Sequence, residues 1–203
     1  MSSPDQILDT YDRVAPRFAR ERDKTLFEKR WLDRLWGYTP NPTGRRRVLD
    51  LGCGSGQPIA AYLDERGAEV TGVDGAAAMV ALFRAALPSA QVHHADMRKL
   101  DLGRTFDAVI AWNSFFHLSA EDQRAMFAIF AAHAGPRAPL LFTTGHKAGT
   151  ALGTAGGETV FHESLDPADY DSLLEEAGFE RLAFVPEDPA CRGHSVWLAR
   201  KRS

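Results

Sequence analysis

Residues 48–56 read Val-Leu-Asp-Leu-Gly-Cys-Gly-Ser-Gly and run on into Gln57-Pro58. This stretch limits the folds open to the chain more than any other. Val48, Leu49 and Leu51 form the apolar run expected of a strand covered on both faces. Gly52, Gly54 and Gly56 then let the backbone turn tightly and let a ligand approach without meeting a Cβ. Pro58 suits the first turn of a helix, where its missing N–H costs nothing. Strand, glycine turn and helix in that order aim backbone amides at a ligand from a helix N-terminus. Asp50 narrows the ligand. Beside a pyrophosphate its carboxylate would set like charges together in a poorly solvated turn, a cost on the order of kcal/mol. The dinucleotide fingerprint also wants its third glycine one place later, where this chain has Gln57. Acid, glycines and spacing together favour a cationic nucleoside over NAD.

The rest of the chain alternates strand and helix around that stretch. Ile59 to Arg66 reads as a helix closed by Gly67, and Glu69 to Asp74 as a second strand ending in an acid. Asp74 stands where a carboxylate accepts hydrogen bonds from ribose hydroxyls in βαβ nucleoside sites; capping the next helix is its plainer role. Met79, Leu82, Phe83 and Ala86 share a helix face before Pro88. Gln91 to Met97 is a third strand with Asp96 at its end, and Phe106 to Trp112 an apolar central strand. Ser119 caps a helix, with Asp122 three places on, and Leu140 to Gly145 is the fifth strand. Four glycines between His146 and Glu163 predict a mobile loop there. Asp166-Pro167 opens a helix that Gly178 ends, and Phe179–Val185 with His194–Ala199 forms an antiparallel pair. Ahead of the glycine stretch, Ile7, Leu8, Tyr11, Val14, Ala15 and Phe18 share one helix face. A second helix is expected from Thr25, where Thr25 and Glu28 fit a capping box, and a loop from Gly37 to Gly44. The pattern predicts a single domain: an α/β, doubly wound, Rossmann-like, seven-stranded and mostly parallel sheet with an antiparallel last strand. Helices cover both faces; residues 1–44 form an N-terminal helical lid and 45–203 the core.

Asp50 to Gly56 closely resembles motif I of the class I S-adenosyl-L-methionine (SAM)-dependent methyltransferases, and the order of elements resembles that family as far as the C-terminus. The reversed terminal hairpin is typical of the family and unusual in NAD domains. The resemblance implies that Gly52, Gly54 and Gly56 cradle SAM, with Gln57 beside them and Asp50 near the methionine amino group. It implies Asp74 on the ribose, with Gly75 and Met79 nearby, and Asp96 with Met97 around the adenine. Trp112 and Asn113, after the fourth strand, would touch the cofactor, and His117 the cofactor-facing substrate. Small-molecule members often carry Tyr-Asp-x-x-Ala in the N-terminal helix, matched by Tyr11 to Ala15; Tyr11 and Phe18 are therefore expected at the substrate.

Methyl transfer from a sulfonium is an in-line displacement that needs alignment and, for some acceptors, a base. Histidines titrate near neutrality, so His117, His146 and His162 are the candidate bases, while His133 and His194 read as surface or strand residues. His93 and His94 are adjacent in a strand and point to opposite faces, so no metal is expected. With two cysteines, Cys53 and Cys191, neither a disulfide framework nor thiol-dependent methylation is favoured, and a reducing cytoplasm is the expected home. Residues 1–6 are polar and lack the apolar core of a signal peptide, and no stretch reaches transmembrane length. A net charge of −3, no basic stripe and no Asn/Asp-Pro-Pro-aromatic motif weigh against nucleic acid and membrane as partners. The reading is a SAM-dependent methyltransferase acting on an O, N or C nucleophile of a small molecule. The alternative is a SAM-binding module without catalysis, acting as a sensor or partner subunit.

Overall fold

Leu49 and Leu51 of β1 (Arg47–Leu51) enter one core and Val48 another, the alternation of a strand covered on both faces. The same split runs through β4 (Ala108–Ala111), where Val109 and Ala111 face one side and Ala108 and Ile110 the other. These strands lie at the centre of a seven-stranded sheet in a computed structural model that describes residues 3–40 and 43–203. Met1 and Ser2, and Asn41 and Pro42 of the expected Gly37–Gly44 loop, lie outside the described residues. Beyond β1 on one side come β2 (Glu69–Asp74) and β3 (Gln91–His94). Beyond β4 on the other come β5 (Pro139–Thr144) and the terminal pair, β8 (Phe179–Asp188) and β9 (His194–Lys201). The order is β3-β2-β1-β4-β5-β9-β8. Only β9 runs against its neighbours, pairing antiparallel with β5 and β8. Strands are added on one side of β1 up to β3 and on the other side from β4, and that switch point leaves a crevice at the strand carboxyl ends.

Helices α5 (Ala120–His133) and α6 (Pro167–Glu176) cover one face, burying Phe127, Phe130 and Tyr170 against Phe142 and Trp197 of the sheet. Helices α2 (Lys29–Tyr38), α3 (Ile59–Glu65) and α4 (Ala77–Ala86) supply Trp31, Leu63 and Phe83 to the other. Of the two N-terminal helices, therefore, α2 belongs to a core, whereas α1 (Ile7–Glu21) lies along α4 above the strand ends.

Three expectations are corrected. The second helix starts at Lys29, not Thr25. Leu26 adopts a left-handed φ of 57°, which breaks a helical path, and the buried Glu28 carboxylate turns to Arg22 instead of reaching back to Thr25. The Thr25 amide donates to Asp23 Oδ1 at 2.8 Å. The segment expected to be a mobile loop is a hairpin: β6 (Gly149–Ala155) and β7 (Glu158–Ser164) pair from Gly149↔Ser164 to Ala155↔Glu158. Its two-residue turn is Gly156-Gly157, with φ of 52° and 81°, the backbone that a tight hairpin demands. Ala155 and Val160 bury against Ile7, Tyr11 and Phe18, so the hairpin closes over α1. The third strand is also shorter than expected, ending at His94; Asp96 instead caps a short 3₁₀ turn through the Arg98 amide. No helix among the described residues is long and apolar enough to cross a membrane.

Candidate active site

The carboxyl ends of β1, β2 and β4 open into one cavity of about 530 Å³, roofed by α1 and the β6–β7 hairpin. The glycine turn forms its floor. Gly52 has a φ of 71°, and a Cβ there would lie 2.2 Å from Ser114 Cβ, so any side chain would collide with the loop after β4. Ser114 Oγ donates to the Leu51 carbonyl at 2.7 Å and holds those two loops together. The Gly54 amide donates to Asp74 Oδ2 at 2.8 Å, and the Ala76 amide to Asp74 Oδ1 at 2.9 Å. One carboxylate thus fixes both the turn and the entry to α4. Burial raises the Asp74 carboxyl above its usual range, and the two amides oppose that.

Asp50 has no such help. Only 3% exposed, it accepts no hydrogen bond from the side chains and loop amides of the described residues, and burial, with the charge of Asp74 added, pushes its carboxyl up to about 7. A desolvated carboxyl of this kind gains most from a cationic ligand. Asp96 is the opposite case. Arg98 grips both of its oxygens and holds it below the usual range, and Arg98 also reaches Asp122 at 3.1 Å. Met97 and Met79 line the cavity on either side of Asp74, and Gly75 sits so close under Leu8 that a Cβ would lie 2.6 Å from it.

The lining around Tyr11 and His117 is neutral, although Asp5, Glu21, Arg22, Asp23 and Arg192 also border the cavity. Tyr11 Oη lies 2.9 Å from His117 Nε2, and His117 Nδ1 lies 2.7 Å from the Phe161 carbonyl. A carbonyl only accepts, so Nδ1 carries the proton and Nε2 accepts from the Tyr11 hydroxyl. Burial lowers the His117 imidazole to about 4 and raises the Tyr11 phenol, so both are neutral at physiological pH. The remaining members of the Tyr-Asp-x-x-Ala pattern are structural. Asp12 Oδ1 accepts from the Ala78 amide at 2.7 Å, anchoring α1 to the start of α4, and Ala15 is wholly buried against Ala76 and Met79.

The structure brings Asp50, Gly52, Gly54, Gly56, Gln57, Asp74, Gly75, Met79, Asp96, Met97, Trp112 and Asn113 to this cavity, with Tyr11, Phe18, His117 and His162. His146 lies outside it, half-exposed, with Nδ1 3.4 Å from Glu187 Oε1. His194, expected on the surface or in a strand, opens β9 and also lines the cavity. Its ring stacks on Trp112 with centroids 5.8 Å apart, and its Nε2 accepts from Asn113 Nδ2 at 2.9 Å. Arg22, Phe27 and Arg192 complete that end. No local pattern marks them: His194 and Arg192 arrive with the terminal strand, which pairs with β5 and β8, and Arg22 and Phe27 with the end of α1. His133 is buried in α5, where its Nε2 accepts from the Leu102 amide at 3.1 Å.

The residues present fit SAM. A turn that excludes a Cβ, a buried carboxyl without a cation, and acids at the ends of β1 and β2 and just past the end of β3 match its ammonium, ribose diol and adenine. Residues 48–137 match a family model described as a methyltransferase domain. A dTDP-3-amino-3,6-dideoxy-alpha-D-glucopyranose N,N-dimethyltransferase of Streptomyces fradiae is 36% identical over 124 residues, which cover 56% of this chain and 48% of that protein. A dTDP-3-amino-3,4,6-trideoxy-alpha-D-glucopyranose N,N-dimethyltransferase of Streptomyces venezuelae is 35% identical over 91 residues, covering 44% of this chain and 38% of that one. The matches thus span about half or less of these curated relatives. Among solved structures, the SAM-bound amino pentose methyltransferase CalS10 from Micromonospora echinaspora superposes with a TM-score of 0.71 at 24% identity, over 95% of this chain and 96% of that one. The DhpI–SAH complex gives a TM-score of 0.74 at 19% identity, over 98% and 97%. At these identities the likeness to solved structures is one of fold.

Proposed function

We propose that the chain is a class I SAM-dependent methyltransferase and that it transfers a methyl group from SAM to a small molecule. When bound, SAM supplies a methyl group on a positively charged sulfur. The residues of this chain do the holding. Asp50 pairs with the ammonium of the amino-acid end, Asp74 accepts from the ribose hydroxyls, and Asp96 with Met97 borders the adenine. Their partners in the protein leave these roles open: Asp50 has no donor on its side chain, each Asp74 oxygen accepts one amide and keeps a lone pair, and Asp96, paired with Arg98, lines the cavity. Trp112 and Asn113 border the same space.

The observation that carries the proposal is the pairing of two unlike walls in one cavity. A floor of carboxylates and glycines shares the cavity with a neutral polar and aromatic patch, Tyr11 and Phe18 of α1 with Phe116 and His117 from the turn after β4. The floor suits a cationic nucleoside. The patch suits an uncharged acceptor, because the Tyr11 hydroxyl proton is committed to His117 and leaves the oxygen lone pairs to accept from an acceptor N–H or O–H. A protein that only stored or sensed SAM would have no use for a second, polar wall, which favours catalysis over the binding-module alternative. Proximity and alignment between the walls supply most of the acceleration, and the apolar side chains of Phe18, Ala155 and Val160 keep water out. Relatives named as amino-sugar N,N-dimethyltransferases support an amine among the acceptors.

The test has two stages. S-adenosylhomocysteine (SAH) should raise the melting temperature, while NAD should not. A panel of amines, hydroxy acids and carboxylic acids, with dTDP-linked 3-amino sugars included, should then release SAH from SAM. Stabilisation by neither nucleoside would sink the cofactor assignment, and binding without turnover on any class would favour the binding module.

A further inference from the structure

Two histidines line the acceptor side of the cavity, and their hydrogen bonds separate their roles. His117 has both ring nitrogens engaged, by Tyr11 and by the Phe161 carbonyl. His162, on β7, has neither nitrogen hydrogen-bonded among the described residues, though its ring packs 4.9 Å from His117 and 4.6 Å from Phe116. The strand opposite is shaped to hold it. A Cβ on Gly153 of β6 would lie 2.4 Å from His162 Cε1 and 2.7 Å from Nε2. Gly153 does not occupy the left-handed region, so its glycine serves space rather than backbone conformation. It is a seat for the imidazole.

We propose that His162, seated on Gly153, takes the proton that the acceptor loses on methylation, and that the acceptor is an amine. This rests on the methyltransferase reading above. The lone pair of the acceptor nitrogen forms the new N–C bond while the S–C bond breaks, its electron pair remaining on a now neutral sulfur. The nitrogen then carries one proton more than the neutral product, and that proton passes to the free nitrogen of His162 and on to solvent. Burial holds His162 neutral and so free to accept, and the same surroundings disfavour an ammonium and ease its loss of a proton. An imidazole can serve a hydroxyl as general base too, so the choice of an amine rests on the relatives named as amino-sugar N,N-dimethyltransferases. His117, with both nitrogens spent, positions Tyr11 and takes no proton.

The experiment compares the wild type with His162→Gly and Gly153→Ala, using His146→Gln as a surface control. Calorimetry with SAH checks the cofactor side first; affinity should stay within about twofold, since neither position is on the carboxylate floor. Turnover of a dTDP-linked 3-amino sugar should fall about 10²-fold in His162→Gly and recover with imidazole in the buffer. Gly153→Ala should lose turnover without rescue, because the displaced ring still fills the space. Nitrogen-15 spectra of the SAH complex should show His162 titrating below the usual imidazole range with neither nitrogen hydrogen-bonded, and His117 fixed as its Nδ1–H tautomer. Full turnover in either cavity variant, no rescue of His162→Gly, or a His162 ring held in a hydrogen bond overturns the assignment to His162 alone. A wild type that binds SAH but turns over hydroxyl acceptors and no amine overturns the amine. A wild type with no turnover at all contradicts the methyltransferase reading, and this inference with it.

Discussion

Asp50 answers to two opposed demands, stability and binding. Its folded carboxyl sits near 7, above the unfolded value of 3.8, so protonation stabilises the fold. That contribution is present in full below the unfolded value and is lost as pH rises through about 7. Asp50→Asn should therefore raise the melting temperature at pH 8, and the gain should shrink toward pH 5; an equal gain at both would mean that the carboxyl titrates normally. The same variant should bind SAH at least tenfold more weakly at pH 8. Asp74→Ala should do both kinds of harm. It removes a ribose acceptor and frees the Gly54 and Ala76 amides, so SAH affinity should fall by about 1–3 kcal/mol together with a lower melting temperature. Unchanged affinity by calorimetry would remove Asp74 from the site. The three acids and the glycines were legible in the sequence because each sits at or just after a strand end, where chain position alone sets what faces the crevice. His194 and Arg22 were not. They reach the cavity through the packing of a terminal strand and the end of a helix, and no local pattern records either.

Elements carry a different lesson. Strands of the main sheet announce themselves by apolar runs, since both faces are buried, and β2 spans the residues expected of it. The β6–β7 hairpin hides behind its own composition. Gly149, Gly153, Gly156 and Gly157 read as looseness when counted, yet two of them make the turn and a third makes room for an imidazole. Alternation in β6 is weak because most of the strand is exposed and only Ala155 is buried. Gly156→Val places a branched side chain at a φ of 52°, 2.7 Å from Val14 Cβ. It should cost about 1–3 kcal/mol, several degrees in Tm, and speed hydrogen exchange in β6 and β7 over that in the sheet. A protection pattern unchanged from the wild type would mean that the hairpin does not depend on α1. Asp12→Ala should cost about 1 kcal/mol by freeing the Ala78 amide, a cap supplied from another helix. In contrast, the exposed Arg13–Glu158 pair, 2.7 Å apart, should contribute little.

For the whole molecule, the sheet, the cavity and the proposed chemistry depend on one arrangement. A parallel sheet with its switch point between β1 and β4 creates the crevice, two cores hold that sheet rigid, and α1 with the hairpin turns the crevice into an enclosed site. The acceptor side is built from N-terminal and hairpin residues that no motif governs, which is why the sequence speaks clearly about the cofactor and little about the acceptor. The proposal that unites the levels is a cation held at Asp50. Calorimetric titration of the wild type with SAH at pH 6 and pH 8 reads that directly. The carboxylate must be charged to receive the ammonium, and its value near 7 predicts one-to-one binding roughly tenfold tighter at pH 8 than at pH 6, with proton release between them. No binding at either pH, or an affinity indifferent to pH, would contradict it.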